Sequence, residues 1–165
     1  MGIPTSISDA TRKRLCIQGF GSYSGEQLAA FRFGIRLPYL VCGIIAVIAL
    51  AFVSIPLLAI LLVIALFGVI LPNHPLDYLY NYGIRQLSGR PKLPRRSAQI
   101  RFACGLASFW LVVTIILFSQ GLIVPGIIWG ALLVVSATLV GTTDICVPSM
   151  MYNLITNRRI YPKGS

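Results

Sequence analysis

LPYLVCGIIAVIALAFVSIPLLAILLVIALFGVILPNHPL, residues Leu37 to Leu76, contains no Asp, Glu, Lys or Arg, and neither does the run from Phe102 to Thr143. Drawn as one helix at 1.5 Å per residue, either block would be about 60 Å long, twice the ~30 Å hydrocarbon core of a bilayer. A single kinked helix would leave about 30 Å of apolar surface in water, so each block reads as two passes. Breaks fall where two passes need them. Ser54-Ile55-Pro56 interrupts the first block, and Ser119-Gln120-Gly121, followed by Pro125-Gly126, interrupts the second. Pro and Gly at such points are turn punctuation. The predicted spans are residues 37–53, 57–72, 102–119 and 126–146. The fold class that follows is all-α: an integral membrane four-helix bundle made of two tandem helical hairpins.

The residues around the blocks carry the charge. Among 165 residues there are 14 Lys or Arg and 4 Asp or Glu, a formal net charge of +10 with a charged fraction of 11%. Mean hydropathy is +0.83. Soluble domains draw about a quarter of their residues from the charged types, so an ordinary soluble domain is excluded. The cations form three groups: Arg12, Lys13, Arg14, Arg32 and Arg36; then Arg85, Arg90, Lys92, Arg95, Arg96 and Arg101; then Arg158, Arg159 and Lys163. Neither predicted turn holds one. By the positive-inside rule, a leader (1–36), a loop (73–101) and a tail (148–165) are cytoplasmic, with both termini inside. The leader is polar and basic and has no signal-peptide core, so the first membrane helix is expected to be its own insertion signal.

Short helices are expected at the cytoplasmic interface. Asn73-His74-Pro75 opens one that runs to Tyr82 with an apolar and aromatic face, and Pro148 to Arg159 forms another. Ser24 before Glu26 marks a helix in the leader that runs to Arg36 and enters the first span. Leu87 to Ser97, with Gly89, Pro91 and Pro94, reads as a turn-rich surface loop. Arg85, Arg90, Lys92, Arg95, Arg96, Arg158 and Arg159 are the expected contacts with anionic lipid headgroups or a protein partner, at about 1 kcal/mol per cation near the surface. No nucleic-acid partner is expected. The halves also echo each other. Arg32-Phe33 precedes Pro56 by as many residues as Arg101-Phe102 precedes Pro125, and Gly68 precedes Pro75 by as many as Gly141 precedes Pro148. A repeat of this kind relates two hairpins by an axis along the membrane normal.

Little catalytic chemistry is on offer. One His excludes a haem held by two histidines within a protomer and a three-His zinc site, and a P-loop is absent. No span carries an ionisable residue at its centre, which disfavours active transport, and no polar stripe marks a pore. Cys16 lies in the leader, while Cys42, Cys104 and Cys146 fall near the cytoplasmic ends of spans, on the reducing side where structural disulfides are rare. A small packed residue is the ordinary role of such a cysteine. His74, Asp77, Asp144 and Cys146 are of metal-ligating types, but the two acids stand among arginines and are expected to pair with Arg85, Arg101 or their neighbours. No cofactor and no catalytic residue is predicted.

Ser97-Ala98-Gln99-Ile100-Arg101-Phe102-Ala103-Cys104-Gly105, together with Asp144-Ile145-Cys146-Val147-Pro148-Ser149-Met150-Met151-Tyr152, resembles an uncharacterised family of small bacterial four-helix membrane proteins, a domain of unknown function, over about residues 35 to 155. Members of that family often carry Cys-x-x-Cys followed by an aromatic after the last helix; Cys146 and Tyr152 match, and Ser149 replaces the second cysteine. The resemblance implies a bacterial inner membrane and no established activity. The expected function is that of a non-catalytic accessory, assembly or scaffold subunit of a larger membrane complex. Small residues such as Gly43, Gly105 and Gly130 allow close helix approach. The alternative is a single-thiol sulfur or redox relay in which Cys146 works with a cytosolic partner.

Overall fold

The computed structural model describes residues 7–88 and 91–157, and among these the chain is helical with no strand. α1 spans Asp9–Leu15 and runs on through a wide turn, Cys16–Phe20. α2 spans Gly25–Ala51, α3 Ile55–Ile70 and α4 Pro75–Leu79. A second wide turn, Tyr80–Ile84, leads into α5, Arg85–Ser88. α6 spans Ala98–Ser119, α7 Ile123–Thr143 and α8 Val147–Ile155.

Each long helix starts on a local signal. Ser24 caps α2 by accepting from the Gln27 N–H, while Gln27 Oε1 accepts from the Ser24 N–H at 3.0 Å, a reciprocal capping box. The leader helix and the first span are therefore one 27-residue helix with Pro38 inside it. Ser97 caps α6 in the same way through the Ile100 N–H. Pro56 sits in the first turn of α3 and Pro125 in the first turn of α7, where a missing N–H costs no hydrogen bond.

The two tight turns close alike. At the end of α2 the Ser54 N–H reaches back to the Ala49 carbonyl at 2.8 Å; at the end of α6 the Leu122 N–H reaches the Leu117 carbonyl at 2.9 Å. Such a closure needs a left-handed residue before the donor. Gly121 takes that place at φ +73°, but Val53 takes it at φ +49°. A β-branched side chain there costs roughly 1–2 kcal/mol. Val53→Gly is thus expected to stabilise the protein by about 1 kcal/mol, read as a higher Tm in detergent micelles.

α2, α6 and α7 are each long and apolar enough to cross a membrane; α3 qualifies as a fourth only together with Pro75–Ile84, across a bend of 83°. The outward faces are apolar, with Ile44, Val47, Phe52, Ile60, Phe67, Phe109, Ile128 and Val135 exposed. Patches of that extent are untenable in water. The chain is a multi-pass membrane protein.

Its closest packed pairs are α3 with α6 and α2 with α7, so each long helix of one half lies against a helix of the other. Arginines repeat the relation. Arg101 of α6 donates to the Val69 carbonyl closing α3 at 2.7 Å, and Arg36 of α2 donates to the Thr142 carbonyl closing α7 at 2.5 Å. Cations at these helix ends satisfy carbonyls that have no partner within their own helices.

Two cores result. Ala46, Ala49, Leu50, Leu58, Leu61, Ala65, Leu111 and Phe118 pack between the long helices. At the end that holds the cations, Leu15, Phe20, Leu28, Phe31, Ile35, Tyr80, Leu93 and Ile100 form a second cluster. That cluster corrects the surface-loop reading of Leu87 to Ser97 at Leu93 and Arg96 only: Pro91, Lys92 and Arg95 are exposed as expected, and Gly89 and Arg90 lie outside the described residues. Leu93 is buried, its N–H donates to Asn81 Oδ1 at 2.9 Å, and Arg96 donates its own N–H to the Pro72 carbonyl.

Candidate functional site

Between α2, α6 and α7, and closed at one end by the start of α8, lies a cavity of about 390 Å³. Most of its wall is aliphatic, including Ala46, Leu61, Leu111, Leu132 and Val140. The polar groups gather near the end where α8 begins: Tyr39 and Cys42 from α2, His74 before α4, Arg96 before α6, Cys104 from α6 and Cys146 before α8. Three of the four cysteines and the single His of the chain thus share one cavity.

Each group is held by a local device. Cys146 is the N-cap of α8, and Pro148 in its first turn favours the helix start there. One turn on, Ser149 Oγ donates to Cys146 Sγ at 3.1 Å, with both residues buried. Burial pushes the Cys146 thiol up, and the Ser149 hydrogen bonds and the Arg96 charge offset part of that rise. His74 caps α4: its Nδ1 accepts from the Leu76 N–H at 3.3 Å, and its own N–H donates to Asp77 Oδ2 at 3.0 Å. Gly68 makes room for it. A Cβ at Gly68 would lie 2.8 Å from His74 Cδ2 and 2.9 Å from Cys104 Sγ, so the imidazole edge and this thiol face each other across the space Gly68 leaves open.

Arg96 supplies the site with a guanidinium but little free charge. Its Nε and Nη2 donate to the two carboxylate oxygens of Asp77 at 2.6 and 2.5 Å, and both side chains are buried. Burial works against the charge, but the hydrogen bonds and the charge of Asp77 outweigh it and hold Arg96 above its ordinary pKa. The guanidinium carbon lies 5.9 Å from the Tyr39 ring centroid. Bidentate pairing fixes its plane.

Burial, helped by Arg96, pushes His74 down to about 4, against the opposing charge of Asp77. Because the folded value lies below the ordinary 6.5, the unfolded chain binds more protons between the two. Stability from this residue is present above about 6.5 and is lost as pH falls towards 4. Thermal unfolding in micelles should show a Tm that declines across that window, with a shallower decline in His74→Gln.

The predicted site residues separate accordingly. His74 and Cys146 meet at the cavity. Asp77 is taken by Arg96, and Asp144 by Arg32 and Arg36, which donate to its carboxylate at 2.6–3.0 Å. The partners are arginines: Arg96 for Asp77, and Arg32 and Arg36 for Asp144. No group of three His, Cys, Asp or Glu residues able to hold a metal ion occurs among the described residues. Of the seven cations assigned to lipid or partner contact, Lys92 and Arg95 are exposed, Arg85 is half-buried and Arg96 is inside. Arg90, Arg158 and Arg159 lie outside the described residues. Cys16 is buried in the leader, its thiol raised by burial against the opposing charge of Arg12.

Sequence reasoning missed Tyr39 and Trp110 as cavity residues and treated Cys42 and Cys104 as packing. The available signal was their common depth: Tyr39, Cys42 and Cys104 lie within about a turn or two of the predicted cation-side ends of their spans, as His74 and Cys146 do. Trp110 stacks on Trp129 with centroids 4.5 Å apart and donates Nε1–H to the Trp129 carbonyl at 2.8 Å.

Fold and site together define a multi-pass helical membrane protein with a mostly aliphatic cavity that has three cysteines in its wall. The chain belongs to the family described as Domain of unknown function (DUF4395), whose model matches residues 32–157. No curated protein and no solved structure matches it.

Proposed function

We propose that this protein is a four-pass inner-membrane protein of a bacterium, with both termini cytoplasmic, and that it acts as a thiol relay through Cys146. The arrangement of passes is a bundle of α2, α3, α6 and α7. Supporting it are the cross-half packing and the tight turns Phe52–Ser54 and Gln120–Leu122 at the end opposite the cations. The observation that carries the relay is the convergence of Cys146, Cys104 and Cys42 on one cavity, with Ser149 bonded to the Cys146 sulfur. Packing alone has no need to bring three thiols together.

The step it supports is sulfur transfer from a persulfide carrier. The Cys146 thiolate attacks the outer sulfur of the carrier's R–S–SH, the S–S bond breaks, the carrier leaves as RS⁻, and Cys146 becomes the persulfide. Ser149 Oγ–H and the start of α8 favour the thiolate; burial opposes it. The test is incubation of the detergent-solubilised protein with a persulfide donor, followed by mass analysis of each cysteine. One added sulfur on Cys146, lost in Cys146→Ser, is the expected result; labelling confined to Cys16 would count against the relay.

A second reading, an accessory or scaffold subunit, is favoured by the outward face of α8, where Met150, Met151, Leu154 and Ile155 are exposed. Such a face suits a headgroup layer or a membrane partner. Gentle extraction and purification test it: recovery of only partner-free protein would defeat this reading.

A further inference from the structure

The Tyr39 hydroxyl is buried and has no hydrogen-bond partner among the described residues, although its residue lines the cavity. A buried hydroxyl left unpaired costs about 1–3 kcal/mol, which marks a place where an acceptor belongs. His74 offers a second donor nearby. Its Nδ1 already accepts from Leu76, so the neutral ring carries its proton on Nε2, next to the Cδ2 edge that faces Gly68 and Cys104. The acceptor need not be anionic, because Arg96, the one Lys or Arg lining the cavity among the described residues, is already paired in bidentate fashion with Asp77. A phosphate or carboxylate headgroup would therefore enter a site with no spare charge to meet it.

The walls set the rest of the ligand. Away from the polar end the lining is aliphatic, while Tyr39 and Trp110 supply flat aromatic surface. Leu132, Val135, Leu139 and Met151 both line the cavity and are exposed on the outer flank of α7 and α8. The mouth thus opens where the surface is apolar, and an occupant arrives from the bilayer. A volume of about 390 Å³ lies in the range of small-molecule sites.

We propose that this cavity binds a neutral, lipid-soluble carbonyl compound of the quinone class, with its ring carbonyl at the Tyr39 and His74 end and its apolar part towards Leu61 and Leu132. One ring carbonyl has two lone pairs and accepts from both donors while the flat ring lies along the aromatic walls, whereas the head of a glyceride is neither flat nor conjugated. The site shares its cavity with the relay but asks nothing of the thiols.

The full-length protein in micelles is titrated with a short-chain benzoquinone while tryptophan emission is followed. Trp110 at the wall and Trp129 stacked on it are the chain's two tryptophans. Saturable quenching is expected. Tyr39→Phe should weaken binding about fivefold, as loss of one hydrogen bond predicts, and Ala107→Leu, which fills the cavity, should remove saturation. Quinone binding is read by fluorescence and sulfur transfer by mass, so that a silent Cys146 in sulfur transfer and an empty cavity are separate results. Quenching in the wild type that rises linearly without saturating would overturn the proposal. So would displacement of the quinone by a monoacylglycerol at equal concentration, which would assign the site to glyceride lipid. Both of these arms use unaltered protein and hold even where a variant fails to fold.

Discussion

Asp77→Ala is expected to destabilise the protein by about 3–5 kcal/mol, because it strands a guanidinium that the fold keeps away from water. Arg96 is 5% exposed and Asp77 1%, so neither charge has solvent to fall back on. The same carboxylate accepts the His74 N–H at the start of α4, so its loss also removes that cap. Three further contacts lie within reach of the damage. Arg96 closes the Pro72 carbonyl, Leu93 is tied to Asn81, and Arg96 lies over Tyr39 at the cavity. Asp77→Asn keeps an acceptor for the cap but not the charge, and should fall between Ala and the wild type. Asp77→Leu combined with Arg96→Met removes both charges and should recover most of the loss, since apolar replacement of a complete buried pair is often neutral. Reversible unfolding in mixed micelles reads all four proteins. A single Asp77→Ala variant with unchanged stability would mean that water reaches the pair.

Much of this was legible from residue types and much was not, and the difference is physical. The long helices and their breaks follow from the absence of charge over two blocks and from Pro56 and Gly121, because a bilayer leaves a backbone few options. Helix starts are local as well. Ser24 and Ser97 cap within three residues, so they can be read from sequence. The cation-rich end is different. α1 carries Arg12, Lys13 and Arg14 and reads as solvated, yet Leu15 and Phe20 bury against Tyr80 and Ile100, partners distant in sequence. Lys92 and Arg95 stand exposed where charge patterning put them, whereas Arg96, next in line, turns inward because Asp77 is there to receive it. Nothing local distinguishes these neighbours. The same limit hid the cavity: Tyr39, Cys42, Cys104 and Cys146 come from three separated segments, and only the packing of α2, α6 and α7 shows that they share one space.

Asp144 carries the second large effect, and three substitutions there separate charge from backbone conformation. Its φ of +60° places it in the left-handed region that ends α7, where Asn and Gly are at ease and Ala is not. Its carboxylate, 1% exposed, receives Arg32 and Arg36, and its carbonyl accepts Gln18 Nε2 at 2.8 Å. Arg14 adds a bond to the neighbouring Thr143 carbonyl. One residue therefore pins the leader and α2 to the end of α7. Asp144→Ala should lose both contributions and cost about 3–5 kcal/mol, enough to deplete folded protein in the membrane. Asp144→Gly restores the conformation alone, and Asp144→Asn restores it together with part of the hydrogen bonding, so the order of stability should run Asn, Gly, Ala. The two arginines are unequal as well. Arg36 is 20% exposed and also closes the Thr142 carbonyl, whereas Arg32 is 36% exposed and better screened. Arg36→Met should accordingly cost more than Arg32→Met, by a difference measurable as Tm in micelles. If Asp144→Gly matched the wild type while Asp144→Ala did not, the arginines would contribute nothing and the left-handed backbone alone would explain why an aspartate is found there.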